Sequence, residues 1–152
     1  MMRYSNWLVA LMVVTGLAVA SNADAQKKQM KDYVNQLQKN MDAVIESFGE
    51  GKCEVNLVDS TDGDGQDVEM RVTMPLKRFE EEFVPIAAME AASLHQRFKI
   101  IMIWLRHKGT NKVARIWYRD AEPLARKYLA NKKDPEAISK LAEDMKESVR
   151  WQ

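Results

Sequence analysis

The stretch CEVNLVDSTDGDGQDVEMRVTM, residues 53–74, decides the fold. Cys53, Val55 and Leu57 alternate with Glu54 and Asn56, and Val68, Met70, Val72 and Met74 alternate with Glu69, Arg71 and Thr73. A strict period of two gives each strand one apolar and one polar face, the pattern of a half-buried sheet. The intervening STDGDGQ, Ser60 to Gln66, is turn chemistry, so residues 53–59 and 67–74 are expected to form a hairpin with a long loop.

The flanking segments extend this pattern on both sides. Met30, Tyr33, Leu37, Met41, Val44, Ile45 and Phe48 recur at steps of three and four, which predicts an amphipathic helix over residues 28–48, stopped by Gly49 and Gly51. Residues 76–97 are also helix-prone, with Leu76, Phe79 and Phe83 on one face and Ile86, Met89, Ala92 and Leu94 extending it. Pro85 divides them into two helices or one kinked helix. Residues 98–106 (FKIIMIWLR) and 112–119 flank a turn at 108–111 and read as a second hairpin, although an apolar run this short also suits a buried helix. Asp120 with Pro123, then Asp134 with Pro135, mark the starts of two final helices. Leu124, Tyr128 and Leu129 face inward on the first, and Ile138, Leu141, Met145 and Val149 on the second. The expected fold class is α+β: an antiparallel sheet of about four strands in two hairpins, with helices packed on one side, in the order α-ββ-α-ββ-α-α.

Residues 1–25 read as a cleaved secretory signal peptide. Arg3 gives a basic start, Trp7 to Ala20 (WLVALMVVTGLAVA) is uncharged and apolar, and Ala23-Asp24-Ala25 offers a small-x-small cleavage site that leaves Gln26 first. Ala18-Val19-Ala20 is a second candidate site. The apolar run is short for a membrane span of about 20 residues. Residues 26–152 then form a single globular domain with no transmembrane segment, periplasmic or secreted. Export favours disulfides, yet Cys53 stands alone. Its strand pattern makes it a buried apolar residue, with an intermolecular disulfide or a reactive thiol as the alternatives.

Composition is ordinary for a globular chain, with 46% hydrophobic and 30% charged residues. That excludes a disordered chain, and 6 Gly, 4 Pro and 1 Cys exclude collagen-like and disulfide-dense scaffolds. No nucleophile elbow, P-loop or dinucleotide-binding glycine pattern occurs. Aligning Gly65 with the invariant glycine of a helix–loop–helix calcium loop puts Arg71 where the closing glutamate belongs, so the acidic loop reads as a solvated hairpin tip. His95 and His107 form no ligand pair, and Met30, Met41, Met70, Met74, Met89, Met102 and Met145 are scattered as core residues are, not clustered for copper. No catalytic residue, metal or cofactor is expected.

Charge is more informative. The net charge of +1 conceals opposed blocks: residues 42–90 hold 13 acidic and 4 basic residues, and residues 91–133 hold 11 basic and 2 acidic. The basic block contains the second hairpin. Trp104 and Arg106 share one face of its first strand, and Arg115, Trp117 and Arg119 share one face of its second, with Lys108 and Lys112 extending the patch around the turn. Arg forks bind carboxylate and phosphate oxygens and stack on aromatic rings, and Trp and Arg are enriched in binding hot spots. The expected function is a small exported, non-enzymatic binding or adaptor protein. Its Trp/Arg face would dock an acidic protein segment or an anionic envelope component such as lipopolysaccharide or phospholipid headgroups. The alternatives are a hydrolase-type enzyme built from distant carboxylates and His107, and a homodimeric interaction or inhibitor protein joined by the opposed charges. Nucleic acid is not an expected partner.

Overall fold

The structure, a computed structural model, describes the chain from Met2 to Gln152, with side chains from Asn22 onward. Most of the expected leader therefore lies outside the described side chains. Among the described residues no helix is long and apolar enough to cross a membrane.

Helix α1 (Met2–Phe48) carries the predicted stripe: Tyr33, Leu37 and Met41 are buried, and Val44, Ile45 and Phe48 are half-buried. Gly49, at φ 76°, ends it, since left-handed backbone is open to glycine. Strands β1 (Lys52–Asp59) and β2 (Gln66–Thr73) form the expected antiparallel hairpin, with Cys53 opposite Val72, Val55 opposite Met70 and Leu57 opposite Val68. A helical segment, α2, follows as an α-turn (Leu76–Arg78), a π-helical turn (Phe79–Phe83) and an α-helix (Val84–Ser93). The segment is continuous through Pro85. The wide π turn, closed by Val84 N–H on the Phe79 carbonyl, accommodates a residue that has no donor of its own. It leaves both Phe79 and Phe83 fully buried.

Strands β3 (Ile100–His107) and β4 (Val113–Trp117) form the second antiparallel hairpin. Helix α3 (Tyr118–Ala130), helix α4 (Pro135–Lys146) and a short strand β5 (Arg150–Trp151) complete the chain. The fold is α+β, but the sheet differs from the expected one. It has five strands in the order β1-β2-β3-β4-β5, and β3 pairs parallel with β2. Periodicity fixes which face of a strand is buried and says nothing of its neighbour. The crossover through α2 is the long connection that parallel neighbours require. Beyond α4, Arg150 and Trp151 pair with Arg115 and Ala114, which adds the fifth strand.

The side chains of one sheet face, among them Val55, Val68, Met70, Ile103, Leu105, Ala114 and Ile116, share a core with the buried stripes of the helices. Between helices, Glu90 is buried and accepts from Tyr128 Oη at 2.6 Å, with Lys132 Nζ and Asn40 Nδ2 at 3.4 Å. Three further expectations are corrected. Helix α3 starts at Tyr118, with Trp117 at its cap position and no side-chain cap, so Asp120 lies in the first turn, where the helix dipole favours an acid. Leu129 is 49% exposed. Val149 is buried but follows the end of α4. Asp134 does cap α4, accepting from Ala137 N–H at 3.2 Å.

The free edge of β1 is closed by one side chain of α1. Gln38 Nε2 donates to the Cys53 carbonyl at 2.7 Å, and its Oε1 accepts from Val55 N–H at 2.8 Å. The amide takes the place of a missing strand partner. Gln38→Ala should therefore lower stability by about 1–2 kcal/mol. In urea the midpoint should fall at unchanged m-value, and an unchanged midpoint would count against this role.

Candidate functional site

The other face of the sheet is formed by the alternate residues of the same strands. Trp104 lies opposite Arg115, Met102 opposite Trp117 and Arg106 opposite Val113. Trp104, Arg106, Arg115 and Trp117 therefore share this outer face, all half-buried. Arg119 belongs to helix α3, not to a strand, but its guanidinium stacks over the Trp117 ring at 4.9 Å. Arg106 and Arg115 lie over the Trp104 ring at 5.3 and 5.8 Å. Each stack contributes about 0.5–1 kcal/mol at an exposed site.

The two lysines part company: Lys108 stays at the rim of the outer face, because its partner Glu54 lies opposite Arg71 and points away from the core-facing Cys53 and Val55. Lys108 is exposed past the end of β3 and pairs with Glu54 at 3.3 Å. Lys112 turns toward Glu80 at 3.7 Å and the Trp151 ring at 5.4 Å, and Trp151 meets Phe79 of the core at 6.2 Å. Lys112 thus lies toward the helical side, apart from the Trp/Arg face.

Acidic residues that the sequence reading passed over enter this face. The parallel pairing sets Glu69 opposite Trp104 and Arg71 opposite Arg106. Glu69 bonds Arg71 Nε at 3.0 Å and reaches Arg106 Nε at 3.5 Å. Asp67 is 3% exposed, and its Oδ2 accepts from Trp104 Nε1 at 2.9 Å, while its Oδ1 and the buried Nε of Arg115 have no hydrogen-bond partner. Met102 is fully buried yet stands outside the main core, between Trp104 on its own strand and Trp117 across from it. The Trp and Arg side chains thus roof a small apolar and acidic floor. Arg115 and Arg119 take part in no salt bridge among the described residues. The alternation of Asp67 and Glu69 with buried Val68 and Met70 was the available signal for the acidic side. It lacked the strand neighbour that gives it meaning.

Comparison with protein families, curated proteins and solved structures finds no match. A functional reading therefore rests on the geometry of the chain itself.

The other residues singled out by sequence have internal partners. Cys53 is buried on the core face, and burial, then Asp42 and Glu54, push its thiol up to about 12. His107 is buried against Phe79. Its Nε2 lies 2.7 Å from the Met74 carbonyl and must donate to it, and Nδ1 lies 2.8 Å from the Thr110 hydroxyl. The acidic loop closes with Ser60 N–H on the Gly65 carbonyl at 3.0 Å. Among the described residues no group of three or more His, Cys, Asp or Glu is placed to hold a metal.

Trp104→Phe keeps a ring and removes the donor to Asp67, leaving a buried carboxylate without a bond. It should cost about 1–3 kcal/mol, and Asp67→Asn should recover part of that loss in the double variant. A Trp104→Phe variant as stable as the parent would show that the bond contributes nothing. Native Cys53 should resist alkylation at pH 8 and react only on unfolding, because the thiolate is the nucleophile. Its pKa is raised from an ordinary value of 9.0, so the unfolded chain loses this proton first and its contribution to stability falls as pH rises between about 9 and 12. Rapid native labelling would overturn that assignment.

Proposed function

We propose that the chain is a small exported, non-enzymatic binding protein that docks an acidic protein segment on the outer face of its sheet. The observation that carries this reading is the state of Arg115 and Arg119. Both stack on indole rings, and both stand outside every salt bridge among the described residues. A stacked guanidinium is held in place by its ring and keeps N–H groups at its edge for a carboxylate. Trp104 and Trp117 supply apolar area beside those cations, as binding hot spots do. Export is supported by the basic, apolar and small-residue sequence of residues 1–25. The hydrolase alternative draws less support, because His107 has both ring nitrogens engaged within the fold. The homodimer alternative would use the same cations against the acidic block of a second copy.

The test is capture from envelope extract by the mature protein. Arg115→Gln with Arg119→Glu should abolish capture of a partner whose binding segment is acidic, while the thermal unfolding midpoint stays near that of the parent. Capture unchanged by the double substitution would overturn the proposal. So would a size-exclusion mass that shows a dimer at low salt and a monomer at high salt, with the substitutions removing only the dimer.

A further inference from the structure

A groove of about 280 Å³ opens beside Trp117, where three separated segments meet: the β1–β2 loop at Asp62, the entry to β3 at Lys99 and Ile101, and the first turns of α3 at Arg119 and Glu122. The loop wall is set closely against β3. A Cβ on Gly65 would lie 2.8 Å from the Lys99 carbonyl, so only glycine permits this approach. The groove is side-chain sized, since sites for drug-sized ligands run to roughly 300–1,000 Å³. Ile101 and Trp117 give it apolar walls suited to the methylenes of a long side chain.

Its charges are unequal in their commitments. Lys99 and Arg119 are exposed and in no salt bridge among the described residues. Glu122 is bound to Arg126 at 2.6 Å. Asp62 is exposed and forms no ion pair among the described residues. Two available cations and one available carboxylate leave a single positive charge for a ligand. A monovalent carboxylate matches that charge. A phosphate dianion brings a second negative charge against Asp62, and like charges at close range disfavour it.

We infer that this groove is a carboxylate subsite of the docking face, in which Lys99 and Arg119 hold one Glu or Asp side chain of the bound segment and Asp62 discriminates against phosphorylated residues. The inference rests on the outer-face docking proposed above and adds Lys99 and Asp62 to it. Binding of a labelled peptide of Ser and Gly bearing glutamates, measured by fluorescence anisotropy, tests it against the same peptide with Gln and with phosphoserine in place of Glu. The Glu peptide should bind more tightly than either. Lys99→Ala and Arg119→Ala should each weaken it by about tenfold. Asp62→Asn should shift preference toward phosphoserine several-fold. All three positions are exposed, so these substitutions leave the fold in place. If Arg115→Gln abolishes Glu-peptide binding while Lys99→Ala leaves it unchanged and Asp62→Asn leaves the phosphoserine preference unchanged, the subsite is wrong and docking on the face stands. If the parent protein prefers phosphoserine, or fails to bind the Glu peptide, the subsite is overturned, and envelope capture by the Arg115 and Arg119 variants judges the docking face separately.

Discussion

Strands β2 and β3 run in the same direction, and a chain makes that pairing only by leaving the sheet and returning to its starting end. Here the return path is α2. Its position over one face is secured by Phe79 and Phe83, both fully buried and both presented inward by the π turn that precedes Pro85. With α2 on that face, α1, α3 and α4 find their apolar partners there too, in one core shared with alternate residues of the strands. The opposite face is left to its own side chains. The same pairing places Asp67 and Glu69 beside the basic second hairpin, so Glu69 comes to face Trp104 and to bond Arg106. Fold and surface chemistry thus have a common origin in one strand pair.

Much of this could be read from residue spacing, and the failures have definite causes. Alternation in residues 53–59 and 67–74 gave both strands of the first hairpin and their buried faces, because burial on one side of a pleat writes itself into the sequence at period two. The second hairpin and the Asp134 cap were equally legible. Alternation carries no information on which hairpin edge meets which, and so the parallel seam was missed. Strand β5 is two residues long, too short for any period, and owes its place to pairing with Arg115 and Ala114. Helix α3 begins at Tyr118 without a side-chain cap, so no local signal separated Arg119 from the strand before it. Four of the seven residues chosen for the face share the sheet surface, and Arg119 rejoins them through Trp117. Lys108 keeps to the rim of that face through Glu54, whereas Lys112, assigned by nearness in sequence, turns toward Glu80, because a turn residue does not inherit the face of the strand beside it.

The Trp/Arg surface has an observed structural role, and the proposed binding role would compete with it for the same side chains. As a roof it keeps Met102 and Asp67 from water, and the hydrogen bond from Trp104 to Asp67 fixes one indole in place. As a binding face it needs guanidinium groups free to meet a ligand. Stacking reconciles the two, because a guanidinium lying on a ring covers apolar surface with its plane and offers its N–H groups at the edge. The rotamer entropy that an arginine would lose on binding is already reduced by the stack, which lowers the cost of association.

Distance across the sheet decides which arginines remain available. Glu69 on β2 is one strand from Arg106 and two strands from Arg115. Neighbouring strands lie about 4.8 Å apart, so the backbone at Arg115 is roughly 10 Å from that of β2. Glu69 on β2 pairs with Arg106 of the adjacent strand, while Arg115 and Arg119 stand in no salt bridge among the described residues. The cations outside every salt bridge lie toward Trp117 and Arg119, where the groove lined by Lys99 opens, and the proposed docking of an acidic segment would draw on them there.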